Sequence, residues 1–188
     1  MKVNLGCGNV RKAGYVGVDI FPGPEVDIVA DGRFMPFFKS DSVEVVYASH
    51  VAEHVVDLHP LMKEIHRILK PGGRLVALVP YGLRSLYDPN HYHAFNETTF
   101  RFFTRNNGSG HEANRSLQRF PLFDEESTRL DSLTQFLRFI PKLQFAIESR
   151  PKIAWLVARV QSTALFRVLP KGRWPQLVVI LRKPEANT

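Results

Sequence analysis

The chain has 188 residues, of which 44% are hydrophobic and 23% are charged, a mixture typical of a folded globular protein rather than a disordered one. Its length fits one domain, since single domains usually take about 100–200 residues. The one cysteine excludes an intramolecular disulfide and any zinc or iron–sulfur site built from several cysteines. The chain has neither an apolar run of about eighteen residues nor an apolar signal-peptide segment, so we expect a cytoplasmic protein.

The net charge of +7 comes mostly from the second half of the chain. Residues 1–85 hold ten basic and nine acidic side chains, whereas residues 86–188 hold fifteen and nine. An anionic partner would therefore be drawn to the second half. Arginines and phenylalanines interleave between residues 100 and 138, which suits single-stranded RNA. A fold with phenylalanines inside and arginines in water explains the same pattern and is favoured.

The first half of the chain predicts strands in the order expected of a parallel α/β sheet. The predicted strands are residues 2–5, 15–19, 26–29, 42–48 and 73–79. Residues 58–69 carry apolar side chains at three- and four-residue spacing, which predicts a crossover helix that ends in a tight turn at Pro71-Gly72-Gly73. Only ten residues separate Gly8 from Asp19, too few for a full crossover helix, so the first crossover is predicted to be truncated.

The second half predicts a helical insertion and a last strand. The insertion covers residues 83–176 with one strand at residues 143–147, and residues 177–183 return to the sheet. Between residues 153 and 168 apolar side chains recur at helical spacing with basic residues beside them, which predicts an amphipathic helix. That helix suits a lid or core packing best and peripheral membrane contact second. We therefore expect one domain over residues 1–188, with its ligand-binding core in residues 1–82.

A glycine turn and a carboxylate at the ends of the first two strands indicate a nucleoside ligand. Leu5-Gly6-Cys7-Gly8 follows the first strand, and glycine lets the backbone approach a ligand closely because it has no Cβ. Asp19 ends the second strand, where a carboxylate usually binds ribose hydroxyls in nucleotide-binding α/β folds. Because ligands of such sheets bind at the carboxyl ends of the strands, we expect both features in one site.

Five segments carry a resemblance to a known family over about residues 2–80. They are, in order, VNLGCG, GVDI, IVADGRFMPF, DSVEVVYASHVAEHV and LKPGGRLVALVP. In this order they resemble the class I S-adenosylmethionine-dependent methyltransferases and are most similar to the small type 11 group. The resemblance implies a Rossmann-like, mostly parallel sheet and S-adenosylmethionine as the cofactor.

The same resemblance implies which residues contact the cofactor. They are Gly6, Cys7, Gly8, Asp19, Ile20, Asp31, Gly32, Arg33, Ser49 and His50. In that arrangement Asp19 binds the ribose hydroxyls and Asp31 accepts from the adenine amino group. Ser49 and His50 lie beneath the sulfonium end. Carboxylates suit the first two roles, since hydroxyls and amines donate hydrogen bonds and ionised carboxylates only accept them.

The predicted activity is methyl transfer to an oxygen or nitrogen atom of a small-molecule, lipid-linked or sugar-linked acceptor. Two positions depart from the family pattern, because Asn4 replaces an acidic residue and Val10 replaces a glycine. These departures keep a noncatalytic cofactor-binding module as an alternative function. The basic second half keeps an RNA methyltransferase as another alternative, with nucleic acid the less favoured partner.

Histidine suits a general base at neutral pH, and methyl transfer needs a base when the acceptor is a hydroxyl or a charged amine. The turn after the fifth strand holds Asp88, His91 and His93, which are the predicted catalytic residues, because family members place substrate residues there. No metal site is predicted, since zinc generally needs three or four ligands and this turn offers too few. His54 is predicted to have a structural or capping role, and His66 to lie on the solvated surface.

Overall fold

The computed structural model of the protein describes residues 1–105, 123–130 and 176–185. The chain divides into two compact units, Met1–Arg129 with Leu177–Thr188, and Leu130–Gln176. The second unit lies outside the described residues except at its two ends. The predicted strand at residues 143–147 and the predicted helix at residues 153–168 lie outside them too. Within the described ranges, no helix is both long enough and apolar enough to span a membrane.

In the described part of the chain, seven strands form one sheet in the order β3-β2-β1-β4-β5-β7-β6. The strands are β1 (Lys2–Leu5), β2 (Val16–Asp19), β3 (Ile28–Val29), β4 (Val43–Ser49), β5 (Leu69–Pro80), β6 (Asp124–Leu130) and β7 (Gln176–Arg182). β1 pairs in parallel with β2 and β4, and the pairs β2–β3 and β4–β5 are also parallel. The predicted α/β fold with a mostly parallel sheet is confirmed. The strand order reverses beside β1, which is where open α/β sheets bind ligands.

The first strands lie where the sequence predicts them, with small shifts at their ends. β5 differs most, because it begins at Leu69, four residues before the predicted start. Val43 pairs with Leu69 and Val45 pairs with Arg74, so the residues between form a bulge in β5 rather than the predicted tight turn. Gly72 lies in this bulge with φ of 73°, a conformation that glycine adopts without strain.

The first crossover contains no helix, as predicted, and the β2–β3 and β3–β4 crossovers also lack one. Carboxylates hold these helix-free segments by accepting hydrogen bonds from backbone N–H groups. Asp27 accepts from Gly17 N at 2.7 Å, and Glu64 accepts from Met35 N at 2.7 Å. Arg67 binds Glu64 and also donates to the carbonyl of Met35. Side chains therefore supply some of the partners that a helix would have supplied, and backbone carbonyls of turns supply others.

Helix α1 (Leu58–Ile68) forms the crossover from β4 to β5. Asp57 fixes its start, because the Asp57 carboxylate accepts a hydrogen bond from His59 N at 2.9 Å. Its buried side chains are Leu58, Leu61, Met62, Ile65 and Ile68. Burial of a side chain of this size contributes about 1.5–3 kcal/mol, so this apolar face anchors the helix in the core.

Strand β6 is not predicted by the sequence pattern. Its residues, DEESTRL, are mostly polar and have no alternating apolar face. It lies at the edge of the sheet, beyond β7. Charged and polar side chains are typical of edge strands, where they discourage pairing with other chains. The edge position therefore explains both the composition of β6 and why hydrophobic periodicity misses it.

His66 is half-buried, although the sequence predicts it on the solvated surface. Its ring packs edge-on against Phe123, with ring centroids 5.0 Å apart. Burial, together with the positive charge of Lys183, lowers the pKa of His66 to about 4. The prediction of a solvated His66 is therefore wrong, because the residues that cover it are distant in the sequence.

We expect His66 to make the protein less stable as the pH falls from 6.5 towards 4. In this range the unfolded state binds a proton at His66 and the folded state does not, so the free energy of unfolding falls with the pH. Urea denaturation of the His66→Gln variant between these two pH values should show a flatter pH dependence than wild type. Lys63→Gln, at an exposed position of the same helix, is the matched control and should follow wild type. Equal slopes for wild type and His66→Gln would contradict the burial of this imidazole.

Candidate active site

A cavity of about 530 Å³ opens at the carboxyl ends of β1, β2 and β4. This volume lies within the range of roughly 300–1,000 Å³ that is typical of small-molecule sites. The lining residues are Leu5, Gly6, Asp19, Ile20, Phe21, Ala30, Asp31, Gly32, Arg33, His50, Val51, His54, Val55, Val56, Leu61 and Tyr92. The cavity thus lies at the switch point of the sheet, where the topology places a ligand.

Most of the predicted cofactor-binding residues line this cavity. Those that do are Gly6, Asp19, Ile20, Asp31, Gly32, Arg33 and His50. Gly8 is not a lining residue, but its N–H donates to Oδ2 of Asp19 at 2.8 Å. Cys7 is buried, its thiol donates to Glu25 O, and desolvation raises its pKa. Ser49 ends β4 and does not line the cavity.

Gly6 makes a turn whose backbone conformation and close neighbours both favour glycine. Its N–H and that of Cys7 both donate to Val18 O, at 2.8 and 3.2 Å. Gly6 has φ of 66°, in the left-handed region that favours glycine. A Cβ at this position would also overlap Cγ2 of Val51, a side chain that lines the cavity. The glycine therefore serves both the backbone conformation and the close approach of Val51.

Asn4 and Val10, the two departures from the family pattern, are bonded to each other. Asn4 is 5% exposed, and its Nδ2 donates to Val10 O at 3.2 Å. A carboxylate at position 4 could not donate this hydrogen bond. The amide of Asn4 therefore closes the loop that contains the glycine turn.

Asp19 presents a fixed carboxylate to the cavity. Its Oδ2 accepts from Gly8 N at 2.8 Å, and its Oδ1 accepts from Phe21 N at 3.0 Å. A carboxylate oxygen can accept two hydrogen bonds, so each oxygen keeps capacity for one ligand donor. Two adjacent acceptors of this kind suit a pair of neighbouring hydroxyls.

Asp31 forms a bidentate ion pair with Arg33. Nη2 of Arg33 lies 2.6 Å from Oδ2, and Nε lies 3.0 Å from both carboxylate oxygens. The backbone N–H of Arg33 donates to Oδ1 as well, at 2.9 Å. These bonds lower the pKa of Asp31 and keep its carboxylate ionised. A ligand amine that binds Asp31 must therefore share or replace part of its pairing with Arg33.

His50 and Glu53 form a pair at the cavity wall. His50 follows β4 directly with φ of 56°, a backbone conformation that is uncommon outside glycine and clusters at functional sites. Its Nδ1 lies 2.8 Å from Oε1 of Glu53, which is fully buried. This hydrogen bond raises the pKa of His50, outweighing the opposite effect of burial.

His93 braces the turn that holds the predicted catalytic residues. Its Nε2 donates to Val55 O at 2.8 Å, next to the 3₁₀ turn Ala52–His54. Tyr92 N donates to Glu53 O at 2.8 Å and so adds a second bond between the same two segments. His93 does not line the cavity, whereas Tyr92 does.

His91 and His54 lie against each other at this junction. Their rings meet edge to face with centroids 4.7 Å apart. His91 Nδ1 lies 2.8 Å from Ser85 O, and its Nε2 lies 3.7 Å from Oδ2 of Asp88. His54 Nδ1 lies 3.1 Å from Asn90 O. His54 therefore braces the turn, as predicted, and it also lines the cavity, which Asp88 and His91 do not.

The cavity also contains residues that the sequence analysis does not predict. These are Phe21, Val51, Val55, Val56, Leu61 and Tyr92. Phe21 and Val51 directly follow predicted residues, and Tyr92 lies between two predicted catalytic residues, so their neighbours give a local signal. Leu61 gives none, because it is one of five buried apolar residues of α1 and only packing distinguishes it.

Gly6→Ala should destabilise the protein by more than about 1 kcal/mol in urea denaturation, because alanine is strained at positive φ and would overlap Val51. Gly14→Ala is the matched control, since Gly14 has φ of 78° and no atom lies within 4 Å of its added Cβ. The loss for Gly6→Ala should exceed that for Gly14→Ala, and adding Val51→Ala should recover part of it. Equal losses for the two glycines would contradict the close approach of Val51.

Comparison with known sequences agrees with this architecture. The type 11 family described as a methyltransferase domain matches residues 3–77. The sterol 4-C-methyltransferase strm-1 of Caenorhabditis elegans is 22% identical over 153 residues, which are 77% of this chain and 44% of that protein. The chain thus spans less than half the length of the curated relative it matches.

Solved structures share the fold at low sequence identity. A protein provisionally described as a sarcosine dimethylglycine methyltransferase from Galdieria sulphuraria has a TM-score of 0.55 and 15% identity, with 98% of this chain and 78% of that chain covered. The [4+2]-cyclase SpnF has a TM-score of 0.54 and 16% identity, with 98% of this chain and 74% of that chain covered. Phosphoethanolamine N-methyltransferase 2 of Haemonchus contortus has a TM-score of 0.52 and 16% identity, with 98% of this chain and 48% of that chain covered. Such likenesses show the fold, and the cyclase illustrates that one fold hosts different reactions.

The family match covers every cavity-lining residue except Tyr92, from β1 with its glycine turn to Leu61 of α1. The strand order and the structural neighbours independently give the same fold. Residues 3–77 therefore match the type 11 methyltransferase-domain family, and the structural neighbours share the fold of this chain.

Proposed function

We propose that the cavity binds S-adenosylmethionine and that the protein transfers the methyl group to an oxygen or nitrogen atom of a small-molecule, lipid-linked or sugar-linked acceptor. The observation that carries this proposal is the convergence of Gly6, Asp19 and Asp31 on one cavity of about 530 Å³. Their chemistry fits the hydroxyl and amino donors of an adenosine. When bound, the cofactor supplies a methyl group on a sulfonium for in-line displacement.

The two carboxylates would hold the two ends of the nucleoside. Asp19 offers two oriented acceptors to the ribose hydroxyls, because backbone N–H groups fix its carboxylate. Asp31 accepts from the adenine amino group in exchange for part of its pairing with Arg33. Ile20 and Phe21 are 55% and 73% exposed beside these carboxylates. Covering the faces of the adenine would remove their apolar surface from water and so favour binding.

The acceptor would lie beside His54 and Tyr92, which bring the 3₁₀ turn and the predicted catalytic turn to the cavity. Of the predicted catalytic residues, His93 is engaged through Nε2 with the backbone. His91 is bonded through Nδ1, which leaves Nε2 as its reactive nitrogen. His91 is therefore the proposed group that acts on the acceptor. Ser85 O orients its ring at Nδ1, and the nearby carboxylate of Asp88 would stabilise the ring once Nε2 has taken a proton.

The names of two similar proteins favour a small acceptor. One is named for a sterol and the other for phosphoethanolamine. Neither name fixes the acceptor of this chain, since both proteins are much longer and distant in sequence. They do support small-molecule chemistry over nucleic acid as the first class to test.

Asp19→Asn should weaken binding of both S-adenosylmethionine and S-adenosylhomocysteine by at least about tenfold in calorimetry. The variant removes the charge that strengthens two hydrogen bonds to the ribose, each worth about 1.5–3 kcal/mol before water compensates. Asp41→Asn is the matched control, because Asp41 is exposed, pairs with Lys183 and has φ of 58°, which asparagine tolerates. Wild-type affinity in Asp19→Asn would contradict the site, and no binding by the wild type would overturn the function.

His91→Ala should lower turnover by about 10²–10⁴-fold while leaving cofactor affinity nearly unchanged. Turnover is measured as release of S-adenosylhomocysteine with a panel of sterols, phosphoethanolamine and sugar hydroxyls. His59→Ala removes an imidazole outside the site and should retain wild-type turnover. Full turnover in His91→Ala on the accepted substrate would remove His91 from the mechanism.

A further inference from the structure

We propose that Glu53, His54 and His91 form a binding site for a divalent transition-metal ion at the acceptor side of the cavity. One ligand atom from each residue lies within 4.8 Å of those of the other two. An ion with metal–ligand distances of about 2.0–2.2 Å can join them after small side-chain rotations. The site unites the 3₁₀ turn with the turn after β5, which the sequence separates by more than thirty residues.

Both imidazoles are set up as ligands through Nε2. Nδ1 of His91 faces Ser85 O at 2.8 Å, and Nδ1 of His54 faces Asn90 O at 3.1 Å. Since a carbonyl only accepts hydrogen bonds, each Nδ1 must carry the proton, and each Nε2 then carries the lone pair. A metal-binding histidine almost always donates its other N–H to a carbonyl or carboxylate in this way. The backbone therefore selects the tautomer that binds metal in both residues.

Glu53 supplies a carboxylate of which one oxygen has a hydrogen-bond partner among the described residues and the other has none. The residue is fully buried, and its Oε1 is bonded to Nδ1 of His50. Its Oε2 is buried without a hydrogen-bond partner among the residues that the structure describes. A buried charged group without a partner costs about 1–3 kcal/mol or more. A cation at Oε2 would remove that cost, while the bond to His50 would orient the carboxylate as an outer-shell partner does.

Bonds between the two turns hold the three ligands in place. Tyr92 N donates to Glu53 O, and His93 Nε2 donates to Val55 O, both at 2.8 Å. Oδ2 of Asp88 lies 3.7 Å from Nε2 of His91 and adds a second negative charge beside the cluster. A cation would therefore meet an arrangement that is already formed and that carries complementary charge.

The ligand set selects the kind of ion. Two imidazoles and one carboxylate suit zinc or ferrous iron, whereas magnesium and calcium prefer oxygen ligands only. Three protein ligands leave coordination positions open, and His54 also lines the cavity. In combination with the proposed function, these open positions suit an oxygen atom of the acceptor, and His91 would then hold the ion instead of acting as a base.

Zinc binding by the untagged protein tests the site without any methyl transfer. Calorimetry with zinc chloride, after treatment with a chelator, should give one ion per chain for wild type and for the control His59→Gln. His54→Ala and His91→Ala should each bind zinc at least about 10–100-fold more weakly, the loss that already follows when only an outer-shell partner is removed. Cobalt should give a visible absorption band in wild type that both alanine variants lose.

Failure of the metal site can be told apart from failure of the proposed function. Zinc binding that is absent in wild type, or unchanged in His54→Ala and His91→Ala, would overturn the site. Cofactor binding and methyl transfer by that same protein would leave the proposed function standing, with His91 acting directly on the acceptor. Because Glu53→Gln changes a buried residue and could unfold the chain, the two histidine variants decide the result, and their folding is checked by circular dichroism.

Discussion

The cavity depends on hydrogen bonds between carboxylates and backbone N–H groups. The crossovers from β1 to β4 contain no helix, so their backbone donors must find other partners. Asp19 accepts from Gly8 N and Phe21 N, and Glu64 accepts from Met35 N. Asp27, in the crossover from β2 to β3, accepts from Gly17 N of β2. An ionised acceptor strengthens each bond relative to a neutral one. Short connections that would otherwise be loose are thereby fixed around the ends of the strands.

The same bonds prepare the chemistry of the site. A carboxylate oriented by its own backbone loses little further freedom when a ligand binds, which is the benefit of preorganisation. Asp19 illustrates this, because it ties the glycine turn to the end of β2 and still has acceptor capacity that faces the cavity. Asp31 differs, since Arg33 already donates hydrogen bonds to both of its oxygens, and a ligand must replace some of these bonds. The ribose hydroxyls would thus meet an acceptor with free capacity, whereas the adenine amino group would compete with Arg33 for Asp31.

Local signals explain which features the sequence could predict. Gly6, Asp19 and Asp31 follow recognisable strands, and strand ends converge in any parallel sheet, so the sequence could predict both the fold and the meeting of these residues at one cavity. The contact between His54 and His91 could not be predicted, because no periodicity links two segments so far apart. The neighbours Arg33 and Asp31 were both predicted, but their ion pair depends on side-chain conformation. His66 was misplaced for the same reason as the histidine contact, since Phe123 covers it from a distant segment.

Glu53 connects the proposed cofactor side of the cavity with the proposed acceptor side. Its carboxylate binds His50, which follows β4 at the cavity wall, and its carbonyl accepts from Tyr92, which belongs to the turn with His91. A buried carboxylate is costly unless its surroundings bind it, so the contact with His50 fixes the side chain of Glu53. The hydrogen bond from Tyr92 N fixes the backbone of the same residue. Any change in the position of Glu53 must then move groups on both sides together. A reaction that requires donor and acceptor in line gains from such a link, because errors of about 1 Å in their placement are costly.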